Sequence, residues 1–232
     1  MNQITQLLRG SLTQITSLKK VLFFTYLPIF ILFGAILAWA KLSESVAISM
    51  FFRDIAATAD LPFYVGFISQ LGVLFWCSSA VVCYFAYFVV RKGNSGNSRS
   101  ARFLLQSAFV TSLLLADDLF LFHEEIAPNF LSIKEKYILL LYLILCGLYL
   151  LVNRGEILSA EYAVMGLALS FFAASVVIDK LPEVIYENIE FIEENEVLFE
   201  DGFKFIGIVT WFLFLARYSY SRVISSGTFG KG

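Results

Sequence analysis

Charge is scarce in this chain. Of 232 residues only 16% are Asp, Glu, Lys or Arg, against about a quarter in an ordinary soluble domain. The net charge is −2, and no basic stretch is long enough to follow a phosphate backbone, which excludes a nucleic-acid partner. Histidine occurs once, at His123. That single imidazole excludes HExxH zinc proteases, two-histidine di-iron helices, bis-histidine haem sites and three-histidine zinc hydrolases of the membrane. Cysteine is an odd three, Cys77, Cys83 and Cys146, each inside an apolar segment. No disulfide framework or CxxC metal knuckle can be built from them.

Apolar residues are what the chain has in excess. They make up 59% of it, 25 of them Phe, and mean hydropathy is +0.77. A soluble fold of this size could not bury so much apolar surface. Six runs approach the roughly 20 residues needed to span a bilayer. They are 21–40, 61–90, 103–122, 137–152, 162–178 and 203–216. The first carries Pro28, where a kink is expected. Its apolar stretch and polar lead are both too long for a cleaved signal peptide despite the Ala38-Trp39-Ala40 pattern, so it reads as a retained helix. The expected fold is all-α: a polytopic membrane bundle of six transmembrane helices with interfacial amphipathic helices, its bulk partner the lipid bilayer.

The charges fix the threading. Arg9, Lys19, Lys20, Arg91, Lys92, Arg99, Arg102, Arg154, Arg217, Arg222 and Lys231 fall on one side, which the positive-inside rule makes cytoplasmic. Of the acids only Glu156 and Glu161 share that side. Both termini are therefore expected inside. Residues 1–20 place Ile4, Leu7, Leu8, Leu12, Ile15 and Leu18 on one stripe, as in a helix lying in the inner interface. The outer loop 42–60 shows the same pattern with Ile48, Phe51, Phe52 and Ile55. Residues 21–220 form the transmembrane domain, and 221–232 a cytoplasmic tail. Within that domain, 182–201 interleaves eight carboxylates with Val184, Ile185, Ile189 and Ile192, predicting an acidic helix on the outer surface.

Chemistry concentrates at one level. The third run ends Asp117-Asp118-Leu119-Phe120-Leu121-Phe122-His123-Glu124-Glu125, and the sixth opens Glu200-Asp201-Gly202-Phe203-Lys204-Phe205-Ile206-Gly207. Ionisable groups at membrane depth are costly and mark functional candidates. On a continuous helix Asp117 and Glu124 share a face about 20° apart, while His123 points more than 100° from either aspartate. A second helix would then have to complete any site. Asp117, Asp118, His123, Glu124, Glu200 and Asp201 are the candidate ligands of a divalent metal ion or other cation. Lys204, Asp179 and Lys180 are the candidate ion-pair partners, with Lys204 expected within reach of Asp117 or Asp118. Gly202 and Gly207 would let helices approach closely.

These two stretches resemble a broad group of uncharacterised bacterial multi-pass membrane proteins. The shared pattern is acidic-acidic-x4-His-Glu at Asp117, Asp118, His123 and Glu124, then acidic-acidic-x2-Lys-x2-Gly at Glu200, Asp201, Lys204 and Gly207. In that group the second acidic position of the first motif is more often Glu, so Asp118 is shorter. The resemblance, together with the short loops, implies a six-helix plan in a bacterial inner membrane and brings no activity with it. Three readings stay open: an outward-facing cation or proton site for transport or sensing, a structural ion-pair network, and a metal-dependent enzyme at headgroup depth. The structural network would suit an accessory subunit that docks a membrane-protein partner or a second copy of itself. The inner halves of the runs carry little that is polar beyond Ser, Thr and Gln106, which argues against a continuous conduit.

Overall fold

A computed structural model describes residues 16, 18–42, 58–62, 64–93, 98–179 and 196–227. The amphipathic stripes expected over 1–20 and 42–60 lie almost wholly outside these residues, as do Lys180, residues 182–195 and most of the tail. Among the described residues there are eight α-helices and one π-helical turn, and no strand. They are α1 (Lys19–Leu42), α2 (Phe67–Lys92), α3 (Ser98–Phe120), α4 (Ala127–Leu131), α5 (Glu135–Val152), α6 (Arg154–Leu158), α7 (Tyr162–Asp179) and α8 (Glu196–Ser225). The π turn, Phe122–Ile126, lies between α3 and α4.

Five of the helices, α1, α2, α3, α5 and α7, are long and apolar enough to cross a membrane. This fits a multi-pass membrane protein. The sixth run lies within α8 but is not among the five, because its short apolar centre has charged residues at both ends. Helix α8 runs unbroken from Glu196, so Glu200 and Asp201 belong to the same helix as Lys204 instead of closing a separate surface helix. Carboxylates in the opening turns suit the positive end of a helix dipole, and nothing after them breaks the helix.

The chain divides into two compact units, residues 1–65 and 66–232, and the expected transmembrane domain 21–220 spans that boundary. In the first unit, α1 continues through Pro28. In the second, α2 packs against α3 and α8, and α8 against α7. Paired contacts give the directions. Gly72 meets Ile208 and Gly93 meets Ser226, so α2 and α8 are parallel. Tyr149 meets Ser107 and Tyr142 meets Asp117, so α5 runs antiparallel to α3. Gly207 meets Phe172 and Arg217 meets Glu161, so α7 runs antiparallel to α8. Within this second unit the successive long helices α2, α3, α5, α7 and α8 alternate in direction, as repeated crossings require.

The core between them is aromatic. Trp76 stacks on Phe172 at 5.8 Å, and Phe103 lies edge-on to Tyr218 at 4.6 Å. Buried polar groups find partners: Trp211 Nε1 donates to Thr111 at 3.1 Å, and Ser79 and Ser107 hydroxyls donate to carbonyls one turn back. Phe85, Phe88, Phe109, Leu143 and Leu151 stay exposed, an apolar belt suited to acyl chains.

A candidate proton site at a helix break

Helix α3 stops at Phe120, and the chain could not have run on through Pro128 as an ordinary helix. A proline there lacks its N–H and crowds the carbonyl four residues back. Ahead of it the backbone places Leu121 in the left-handed region, at φ 50° and ψ 45°, and then makes a π turn. The N–H groups of both Glu125 and Ile126 donate to the Leu121 carbonyl, at 2.7 and 3.3 Å. A leucine at positive φ is strained by about 1–3 kcal/mol, a cost that surrounding contacts must offset.

Asp117 supplies those contacts. Its Oδ1 accepts the backbone N–H of His123 at 3.1 Å, and its Oδ2 lies 2.6 Å from His123 Nδ1. Tyr142 on α5 donates its hydroxyl to the same Oδ1 at 2.8 Å. The expectation that His123 points away from both aspartates is thereby overturned: it assumed a continuous helix, and the break swings the imidazole back over Asp117. No second helix is needed to bring these two groups together.

A carboxylate can only accept, so Asp117 fixes the Nδ1 proton and leaves Nε2 to exchange with solvent. Nε2 lies 3.4 Å from Glu124 Oε1, whose side chain is exposed. The hydrogen bond to Asp117 raises the affinity of His123 for a proton above its ordinary value of 6.5. Burial opposes that rise, the charges of Asp117 and Glu124 add to it, and Lys204 subtracts.

Asp118 has a different partner. Its Oδ1 is 2.5 Å from Lys204 Nζ, and the carboxylate is nearly buried. Glu124 and Asp201 add negative potential at that ammonium. Gly72, Asp118, Asp201, Lys204 and Ile208 line a crevice of about 20 Å³, too small for more than a water or two. The lysine spans the space; α2 packs between α3 and α8.

Of the remaining candidates Asp201 borders the same crevice. Glu200 is partly buried in the second turn of α8, Asp201 is exposed, and Asp179 ends α7. Among the described residues no three His, Cys, Asp or Glu side chains converge as a metal-holding group. Gly207 is a true close approach: a Cβ there would lie 2.9 Å from the Phe172 ring, on α7 and not on α3. A Cβ at Gly202 would meet nothing. Tyr142 was missed. Its signal was the seven-residue spacing to Tyr149, which puts both hydroxyls on one face of a largely aliphatic helix.

The model of the domain of unknown function DUF8692 matches residues 21–218. The chain belongs to this family. The match takes in both motifs and every described transmembrane candidate. No curated protein and no solved structure matches the chain.

Proposed function

We propose that this DUF8692 protein is a six-pass inner-membrane protein, both termini cytoplasmic, that senses protons at an outward-facing Asp117–His123–Glu124 site. One observation carries the reading: the sole histidine is folded back onto a buried aspartate across a strained helix break. Gaining a proton at Nε2 turns a dipole beside Glu124 into a cation. Losing it weakens the grip of Asp117 on the π turn that starts at Phe122. Protonation and the local path of the backbone are thus coupled.

Sensing is favoured over transport by what lies beyond the site. Trp76, Phe103, Trp211 and Phe214 fill the centre, and the described polar groups among them are hydroxyls and thiols such as Tyr149, Ser107 and Cys83, with no carboxylate, imidazole or amine to relay a proton from His123. A proton is favoured over a divalent ion because the carboxylates are already engaged. A metal would have to displace Lys204 from Asp118 or the imidazole from Asp117. The Asp118–Lys204 pair itself suits the structural reading, a clamp that joins α3 to α8.

The test is a titration of ring-labelled His123 by NMR in nanodiscs. The expected midpoint lies above that of a free imidazole and falls on Asp117→Asn. A midpoint indifferent to Asp117→Asn defeats the proposal, and a resonance moved by zinc at equimolar concentration would favour a metal site. Orientation is tested by thiol labelling in cells: Asn195→Cys should react directly, and Asn97→Cys only after permeabilisation.

A further inference from the structure

The opposite end of the bundle holds a second polar constellation, remote from the proton site and independent of it. Helix α6 places Glu156 under the last turns of α8. One oxygen, Oε2, accepts from Ser100 at 3.1 Å, Tyr218 at 2.5 Å and Arg222 at 3.2 Å. The Arg222 guanidinium also lies over the Tyr218 ring, 4.9 Å from its centre. Among the described residues Arg222 spends one nitrogen, Nη2, on Glu156. These groups are buried or largely so and held in place.

Beside them is a cavity of about 280 Å³ between residues 159–161 and α8, walled by Glu161, Phe214, Arg217, Tyr218, Ser221 and Arg222. Glu161 and Arg217 meet at its wall, where the guanidinium donates to the carboxylate through both Nε and Nη2. Unlike the Glu156 cluster, this pair is open to solvent, with side chains 45% and 59% exposed. Exposed pairs are held by little, so an incoming ion can part them at small cost.

The cavity also has a depth. Glu161 immediately precedes Tyr162, where one apolar span begins, and Ser100 lies at the start of another. That boundary is where lipid phosphates and glycerols sit. Its charges are two guanidiniums and one carboxylate, with Glu156 behind Arg222 balancing the sum to zero. A purely anionic group would leave Glu161 repelled. A zwitterion satisfies every wall: phosphate oxygens take the guanidinium forks and the Ser221 hydroxyl, an ammonium takes the Glu161 carboxylate, and Phe214 meets the glycerol carbons.

We propose that this cavity binds the headgroup of a phosphoethanolamine lipid from the adjoining leaflet, with its phosphate on Arg217 and Arg222 and its ammonium on Glu161. Binding exchanges the Glu161–Arg217 pair for two pairs with the lipid. Choline lipids fit less well, since a trimethylammonium donates no hydrogen bond to Glu161.

Native mass spectrometry of the detergent-purified full chain, offered equal amounts of phosphatidylethanolamine, phosphatidylglycerol and phosphatidylcholine, tests this. The expected result is selective retention of phosphatidylethanolamine. Arg217→Gln should weaken that retention about tenfold, the effect of losing one charge-assisted contact. Glu161→Gln should abolish the preference over phosphatidylglycerol while leaving the phosphate contacts. Both positions are exposed, so unchanged melting temperatures will separate lost binding from lost folding. Soluble glycerophosphoethanolamine should compete, and inorganic phosphate should not. Equal competition by inorganic phosphate, preferential retention of phosphatidylglycerol, or retention untouched by both variants overturns the proposal.

Discussion

The two ends of the α3–α8 bundle solve the same problem with opposite backbones. At one end Asp117 takes three donors, two from a broken helix and one from Tyr142. At the other Glu156 takes three donors from Ser100, Tyr218 and Arg222, each on a helix that runs on regularly through its position. Both carboxylates are buried or nearly so, and both are satisfied. The difference is in what would change if a proton or partner were lost. The Glu156 end has a permanent guanidinium, always charged, and a backbone free of strain. The Asp117 end has a histidine and a leucine held at positive φ. Stability is expected to concentrate at the first, and responsiveness at the second.

That contrast can be broken most forcefully at Glu156. Glu156→Ala removes the acceptor from three donors and leaves the Arg222 guanidinium without its carboxylate. Stripping one partner from a largely buried pair costs about 3–5 kcal/mol, and partial exposure of Arg222 puts the expected loss near the low end. The melting temperature in nanodiscs should fall further than for any substitution at the other end. A smaller loss than that of Lys204→Ala would invert the assignment of the two ends.

Next in size is Lys204→Ala. It leaves Asp118 buried beside Asp117 without a counter-charge, so about 2 kcal/mol is expected, less than for a fully buried pair because Lys204 is over a third exposed. Adding Asp118→Asn should recover about half of it, because the unpaired charge is then gone. If the double variant is no better than the single, the lysine acts through packing of its stem.

How much of this could be read from the sequence divides along the same line. The helices and the acidic level were legible because 3.6-residue periodicity and hydropathy are local properties, and because Asp117 and Asp118 stand out in an apolar run. His123 was legible as a residue and not as a contact. Its orientation depends on a break that only Pro128, five residues on, announces. Glu156 was invisible as a hub: in the sequence it is one acid in a short basic loop, and its three partners lie 56 to 66 residues away. The pairing of Lys204 with Asp118 over Asp117 was likewise a matter of tertiary packing, since both aspartates sit one residue apart at the same depth.

A third, smaller effect distinguishes the two ends of a single helix pair. Helices α7 and α8 meet tightly at Phe172 and Gly207, and loosely at Glu161 and Arg217. Gly207→Ala forces a Cβ to 2.9 Å from a ring that is itself stacked on Trp76, so it cannot swing aside freely. The expected cost is about 1–2 kcal/mol of overpacking. Gly202→Ala, with open space around it, should cost nothing and add helix propensity. Glu161→Gln should leave the melting temperature unchanged, because that pair is solvent-screened.

The smallest expected effect is the one that bears most directly on proton sensing. His123 binds its proton more tightly folded than unfolded, because Asp117 accepts from it and Glu124 adds charge. A raised folded pKa contributes stability that is complete below the ordinary value of 6.5 and fades as pH climbs through the folded value. Between those two points the folded state holds more protons, so stability must fall with rising pH. Melting temperatures measured across that window should therefore slope gently downward in the native protein. Asp117→Asn removes the main cause of the shift and should flatten the slope, whereas Glu156→Gln, at the end that has no histidine, should lower the whole curve without changing its shape. A slope that survives Asp117→Asn would assign the pH response to some other group and leave the helix break as a purely structural feature.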